Sequence, residues 1–266
     1  DKLLRNIGDW YGADVKSQEP LSLSAETVGK KAAVSRQVKE DAVDTGLKKI
    51  LSIPREQKGL LCLACINKKD KSVAYFTTDE WESISESIKS QYAKTGVSIY
   101  EDGHTFIIAL EDCKTADGHN EFAFGGYGKD FVGVNSYNEE PSVFITGYND
   151  TTAIIEQCNG RKDNRDIQGA PAAEAAWNYK ANEYDYMQWY LPSISELMLI
   201  YKYQDGINDF LSKYVPAESK VSNNVYWSST VYSFLGAWHV YMFNGNSGYY
   251  SIRNHSYRVR AVALAK

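Results

Sequence analysis

The run Trp189-Tyr190-Leu191-Pro192-Ser193-Ile194-Ser195-Glu196-Leu197 decides how this chain is read. Pro192 closes an extended stretch, and Ser193 stands where a helix cap is needed. Glu196 follows three residues later, which completes a capping box. Leu197, Ile200 and Tyr201 then share one helical face. Gly206 is expected to break the helix, with residues 207–214 resuming it. Downstream the pattern turns to β, with strands expected at 225–230, 237–243 and 258–265. Asn244-Gly245 and Asn246-Ser247-Gly248 are turn signals between them.

Upstream, strands are expected at 59–66 and 72–77, joined by a turn at Lys68-Lys69-Asp70-Lys71. Thr78 is placed to cap a helix running to about Tyr92, with Asp79 and Glu80 in its first turn. A hairpin is expected at 96–110 around Glu101-Asp102-Gly103. Further helices are expected at 151–157, capped by Asn149 or Asp150, and at 170–179. Residues 1–57 differ from the rest. Val28, Ala32, Val38, Ala42, Leu47 and Ile50 fall at approximate helical spacing, and Pro54 ends the pattern. The segment is too polar to form a core alone. It reads as a helical arm for attachment or homo-oligomerisation. The expected division is the arm at 1–57, a small accessory α/β segment at 58–100 and a ligand-binding domain at 101–266.

The chain has 266 residues, 43% hydrophobic and 24% charged, as expected of an ordinary globular protein with ample core. No apolar run is long enough to span a bilayer and no signal peptide is visible. The chain starts at Asp1, which leaves a removed secretion signal open. A net charge of −5 without a basic block argues against a nucleic-acid partner. Aromatic content is unusual, with 20 Tyr and 6 Trp against 9 Phe. Tyr and Trp join an apolar face to a polar handle, which suits recognition surfaces and also aromatic β cores.

Cys62 and Cys65 sit three apart in a buried-strand pattern and so face opposite sides, which opposes a shared metal or a bridge. They read as buried structural cysteines. A Cys113–Cys158 bridge is compatible with the count, and spacing does not decide it. Phe124-Gly125-Gly126-Tyr127-Gly128 invites a phosphate-cradle reading, but it lacks a following Lys-Ser/Thr and a strand-to-helix setting.

Three separated pieces carry a resemblance: 189–197 quoted above, Tyr226-Trp227-Ser228-Ser229-Thr230, and Ala237-Trp238 with Arg258-Val259-Arg260-Ala261-Val262. In this order they resemble the C-type-lectin-like domain in its formylglycine-generating-enzyme-like branch, over roughly 101–266. The match is nearest to variable proteins of diversity-generating retroelements, on bacterial surfaces or phage. The implied fold class is α+β: a C-type-lectin-like fold of antiparallel sheets and flanking helices, with a small N-terminal helical/β region. In those proteins template adenines are mutated. Codons open at two positions with a pyrimidine third cannot encode Lys, Gln, Glu, Met or Trp.

Residues 231–257 fit that restriction. Trp238 and Met242 are the only Trp or Met there; Lys, Gln, Glu and Asp are absent, and Arg253 is the sole charge. On a strand Trp238, Val240 and Met242 share one face, and His239, Tyr241 and Phe243 the other. The first face is expected to be fixed core and the second a varied surface. Before that strand the surface takes in Tyr232, Ser233, Phe234 and Leu235. After it come Asn244, Asn246, Tyr249, Tyr250, Ser251, Asn254 and His255, reaching to Tyr257. Tyr supplies contact area at low rotamer cost, and Ser, Gly and Asn adapt their hydrogen bonds.

The expected function is therefore surface-exposed ligand binding, extracellular on a bacterial cell or virion. The partner would be a protein or glycan on another surface, with no nucleic acid, no membrane insertion, no cofactor and no metal. The competing reading is a structural or adhesion subunit of an appendage or phage tail. An oxidase reading fails because no Cys follows Cys158. His104, His119, His239 and His255 lack metal-ligand spacing. Glu140-Pro141-Ser142 and Tyr148-Asn149-Asp150 only partly echo the motifs of calcium-dependent lectins.

Overall fold

The computed structural model describes residues 56–101, 103–136, 146–216, 219–249 and 253–265. The arm expected at 1–57 lies almost wholly outside these residues, as do Glu139, Glu140, Tyr250 and Ser251.

The strands are β1 (Leu61–Asn67), β2 (Val73–Phe76), β3 (Tyr92–Glu101), β4 (His104–Ala109), β5 (Glu121–Ala123), β6 (Val225–Val231), β7 (Ala237–Tyr241), β8 (Ser247–Gly248), β9 (Ser256–Arg258) and β10 (Val262–Leu264). The helices are α1 (Thr78–Ser83), α2 (Glu86–Lys89), α3 (Gly147–Cys158), α4 (Pro171–Trp177), α5 (Ile194–Lys202) and α6 (Gln204–Tyr214). One sheet has the order β10-β4-β3-β1-β2 and is antiparallel throughout. The other has the order β5-β9-β6-β7-β8 and is antiparallel except where β6 meets β9, Tyr226 opposite Arg258. The fold is α+β.

The boundary expected at residue 101 runs through the β3–β4 hairpin, and residues 54–266 form one unit. The physical reason is β1. Cys62 to Ile66 are all buried, so this strand needs cover on both faces and cannot stand in a small accessory segment. Cys62 and Ala64 join a central cluster with Ile107, Trp189, Trp227 and Val259. All four cysteines are buried and free, so Cys113 and Cys158 do not pair.

Several element ends differ from expectation. The helix expected from Thr78 to Tyr92 is two short helices. Thr77, not Thr78, forms a capping box with Glu80. Ile84 is extended, Ser85 caps α2, and Tyr92 opens β3. The break expected at Gly206 falls at Tyr203, while Gly206 lies inside α6. A Cβ at 206 would lie 3.2 Å from Leu61 Cδ1, so the missing side chain brings α6 close to β1. The helix expected at 151–157 starts at Gly147. Asp150 is buried inside it, accepting from Asn135 N, Thr146 Oγ1 and Ser229 Oγ at 2.9, 2.7 and 3.4 Å. The strand expected at 258–265 is split, because Val259-Arg260-Ala261 crosses from one sheet to the other.

The capping box at Ser193 forms as expected. Ser193 Oγ accepts from Glu196 N at 3.3 Å, and Glu196 Oε2 accepts from Ser193 N at 2.6 Å. Tyr190 donates to Glu196 Oε1 at 2.8 Å. Burial outweighs these bonds and pushes the Glu196 carboxyl up to about 7; Asp150 is raised by burial as well. An acid whose folded pKa exceeds its unfolded value binds more protons folded than unfolded. Its stabilising contribution is full below about pH 4.5 and is lost as the pH rises to about 7. Glu196→Gln should therefore flatten this slope by about 1–3 kcal/mol between those pH values. Urea unfolding of both proteins across pH 4.5–7 checks it; identical slopes would contradict it.

Candidate functional site

The candidate surface is built on β6, β7 and β8. Tyr226 pairs with Val240 and Trp227 with His239, while His239 and Val240 pair with Gly248 and Ser247. Trp238, Val240 and Met242 are buried, at 8%, 0% and 1% exposure. The face expected as fixed core is thus core. After β7 the chain turns at Asn244-Gly245. Asn244 Oδ1 accepts from Asn246 N at 3.0 Å, and Gly245 N donates to Tyr241 O at 2.8 Å. Gly245 has φ +73°, and a Cβ there would overlap the Tyr201 ring, so glycine is required on both counts.

The opposite face does not present uniformly. Exposure rises along it from His239 at 2%, through half-buried Tyr241, to Phe243 at 57%. His239, expected on the surface, is corrected to a buried position. Trp227 on β6 and Tyr257 on β9 lie beside it, with ring centroids at 5.9 and 5.2 Å. Burial holds its imidazole pKa down, to about 4. Tyr232 and Tyr249 also depart from a one-face surface. Their rings pack together at 4.3 Å and against Trp238 at 6.5 and 4.8 Å, on the fixed face.

Among the other expected residues, Phe234, Leu235, Phe243, Asn244, Asn246 and His255 are exposed. Tyr232, Ser233, Tyr241, Tyr249, Asn254 and Tyr257 are half-buried. Tyr241 and Phe243 stand edge to face at 5.5 Å, and His255 lies 6.2 Å from Tyr257. The structure thus joins Tyr232 with Tyr249, and His239, Tyr241, Phe243, His255 and Tyr257 with one another, through chains of ring contacts. Such chains present broad, stiff contact area that loses little rotamer freedom on binding.

Two buried clusters hold this surface in place. Arg253 is fully buried. Its guanidinium donates to Gly126 O and Lys129 O, both at 2.9 Å, to Ser233 O, and to Gly236 O at 3.4 Å. It also lies 4.7 Å from the Phe131 ring centroid and 5.5 Å from that of Phe124. Gly128 N donates to Phe234 O at 2.7 Å. The glycine run that suggested a phosphate cradle therefore turns the Gly126 carbonyl to an arginine and, through Gly128 N, braces the 232–236 loop. Asp112 is the second cluster. It meets Arg258 at 3.0 Å and Arg260 at 2.9 Å, and accepts from Tyr226 OH at 2.9 Å. Arg260 further donates to Ala109 O and Ser219 O. Neither role is legible in the sequence. The signal for Arg253 was its solitary charge in an uncharged segment; for Asp112 there was none.

Among the described residues, no three His, Cys, Asp or Glu side chains converge as metal ligands, and no helix is long and apolar enough to cross a membrane.

Residues 146–263 match the family model of the Lcl C-terminal domain. All three pieces that carry the C-type-lectin-like resemblance fall within that span. One similar solved structure is a fimbrial protein from Bacteroides ovatus, 17% identical with a TM-score of 0.41; the match covers 60% of this chain and 35% of that one. The chain thus spans about a third of that protein's length. No curated protein matches the chain.

Proposed function

We propose that this chain is a surface-exposed ligand-binding protein of the adhesion type, and that residues 231–257 are its diversified binding surface. One observation carries the reading. In a segment where the restricted codons forbid Trp and Met, the two that occur, Trp238 and Met242, are buried. Phe234, Phe243, Asn244, Asn246 and His255 reach solvent. The two codon-forbidden residues hold the strand from behind, and the permitted residues that reach solvent, Phe243 above all, lie on the other face or in the flanking loops. The uncharged, Tyr- and Asn-rich composition of the segment supports recognition by contact area and adaptable hydrogen bonds, not by charge. The match to the Lcl C-terminal domain over 146–263 is consistent with this reading.

The location is extracellular, on a bacterial cell or a virion, and the partner is a protein or glycan on another surface. The genomic test is direct. Neighbouring DNA should hold a reverse transcriptase and a near-copy of codons 226–262 that differs only at template adenines. A copy differing elsewhere, or no copy, counts against diversification. The binding test is a glycan and protein array probed with the full chain. Any hit should weaken by about tenfold or more in Tyr241→Ala and Tyr249→Ala. Undiminished binding in both variants would move the site off this surface.

A further inference from the structure

His239 is the member of the expected surface that the structure buries. Its neighbours are nearly all rings. Trp227 stands edge-on at 5.9 Å, Tyr241 at 5.0 Å and Tyr257 at 5.2 Å, centroid to centroid. Gly248 closes the remaining side: a Cβ there would sit 2.5 Å from His239 Nε2. Neither ring nitrogen makes a hydrogen bond of good geometry. A buried polar ring without such bonds is uncommon. This one is held chiefly by shape and ring contacts, with the Ala237 backbone the polar group that acts on it. Its removal therefore leaves few polar groups of the protein without a partner, and most of the cost is that of a cavity. The cavity left behind is flat, walled by aromatic faces and edges, and next to an exposed surface.

We propose that position 239 sets the specificity of this surface by plugging or opening a ring-sized pocket walled by Trp227, Tyr241 and Tyr257 and closed by Gly248. With His239 the pocket is filled and the surface binds by its outer rings. With Gly, Ala or Ser at 239 the pocket takes a flat heteroaromatic ring from the partner. This inference rests on the reading of 231–257 as diversified, since the restricted codons permit those small residues. Trp227 lies before the segment, so that wall is constant while the plug changes. Aromatic-walled concavities with few polar groups are the usual shape of small-ring sites.

The test uses the full chain with His239→Gly and, as a second variant, His239→Ser. Imidazole is the probe, with indole as a larger one. Both variants should fold by circular dichroism with a lowered Tm. Imidazole at roughly ten times its Kd should then raise that Tm by about 3–6 °C. Wild type, with its pocket filled, should not respond, and neither should His255→Ala, which removes an exposed ring. Indole should stabilise less than imidazole because the hole is the size of the plug. Adding Tyr241→Ala to His239→Gly should abolish the response. Folded variants that ignore imidazole would overturn the proposal, as would failure of both variants to fold, since the position then cannot vary. The two readings fail separately. A missing template copy removes diversification and leaves the imidazole result standing; an unresponsive pocket removes the plug and leaves diversification untouched.

Discussion

Arg253→Ala is expected to lower the unfolding free energy by about 3 kcal/mol or more. The guanidinium is buried and serves four backbone carbonyls, those of Gly126, Lys129, Ser233 and Gly236. Truncation strands the buried acceptors Gly126 O and Gly236 O, releases the part-buried Lys129 O and Ser233 O, and opens a void between Phe124 and Phe131. Arg253→Lys should recover little, because one ammonium cannot span carbonyls that a planar fork reaches from two sides. Arg253 is uncommon among buried charges in facing carbonyls instead of a carboxylate, and burial draws its pKa down to about 10. It remains charged at neutral pH. Thermal unfolding measures the loss. Hydrogen exchange adds a local readout: amides of 125–129 and 233–236 should lose protection before the rest of the chain. A change below about 1 kcal/mol would show that water replaces the arginine at no cost.

Asp112→Ala should cost about 3–5 kcal/mol, the usual loss when one member of a buried ion cluster is removed. Arg260 has no exposure, and the carboxylate is the acid in ion-pair contact with it. Tyr226 OH loses an acceptor at the same time, though Ser222 still bonds it. Asp112→Asn keeps the shape and fails to balance the charge, so its loss should lie between wild type and the alanine variant. Guanidinium denaturation of the three proteins gives the order. Equal stability of all three would show that Arg258 and Arg260 find other cover.

The legible parts of the fold were those written in consecutive residues. Ser193 and Glu196 declared their capping box because both partners lie within one turn. Trp238 and Met242 declared a buried face because a strand alternates. His239 did not declare its burial. Alternation placed it outward, and Trp227, Tyr257 and Gly248, brought alongside on β6, β9 and β8, help to cover it. Asp112 was invisible for a stronger version of the same reason: Arg258 stands 146 positions away. The split of the expected 258–265 strand follows from that cluster too, since both arginines turn to one carboxylate as the chain changes sheets. Arg253 is intermediate. Its lone charge was plain in the sequence, but what it holds became plain only when two loops converged on it.

The first sheet has a consequence for how the molecule is made. Four of its strands are present by Ala109, and the fifth, β10, comes from beyond residues 231–257 to pair with β4. During synthesis β4 must wait with one edge bare until residues 262–264 leave the ribosome. Closing so long a loop is slow, and a bare edge invites pairing with other chains. Any substitution within 231–257 acts during this waiting period. On the proposed function, a variant of that segment would be filtered twice, once by the ligand and once by whether the segment lets its two ends meet before the open edge finds another chain.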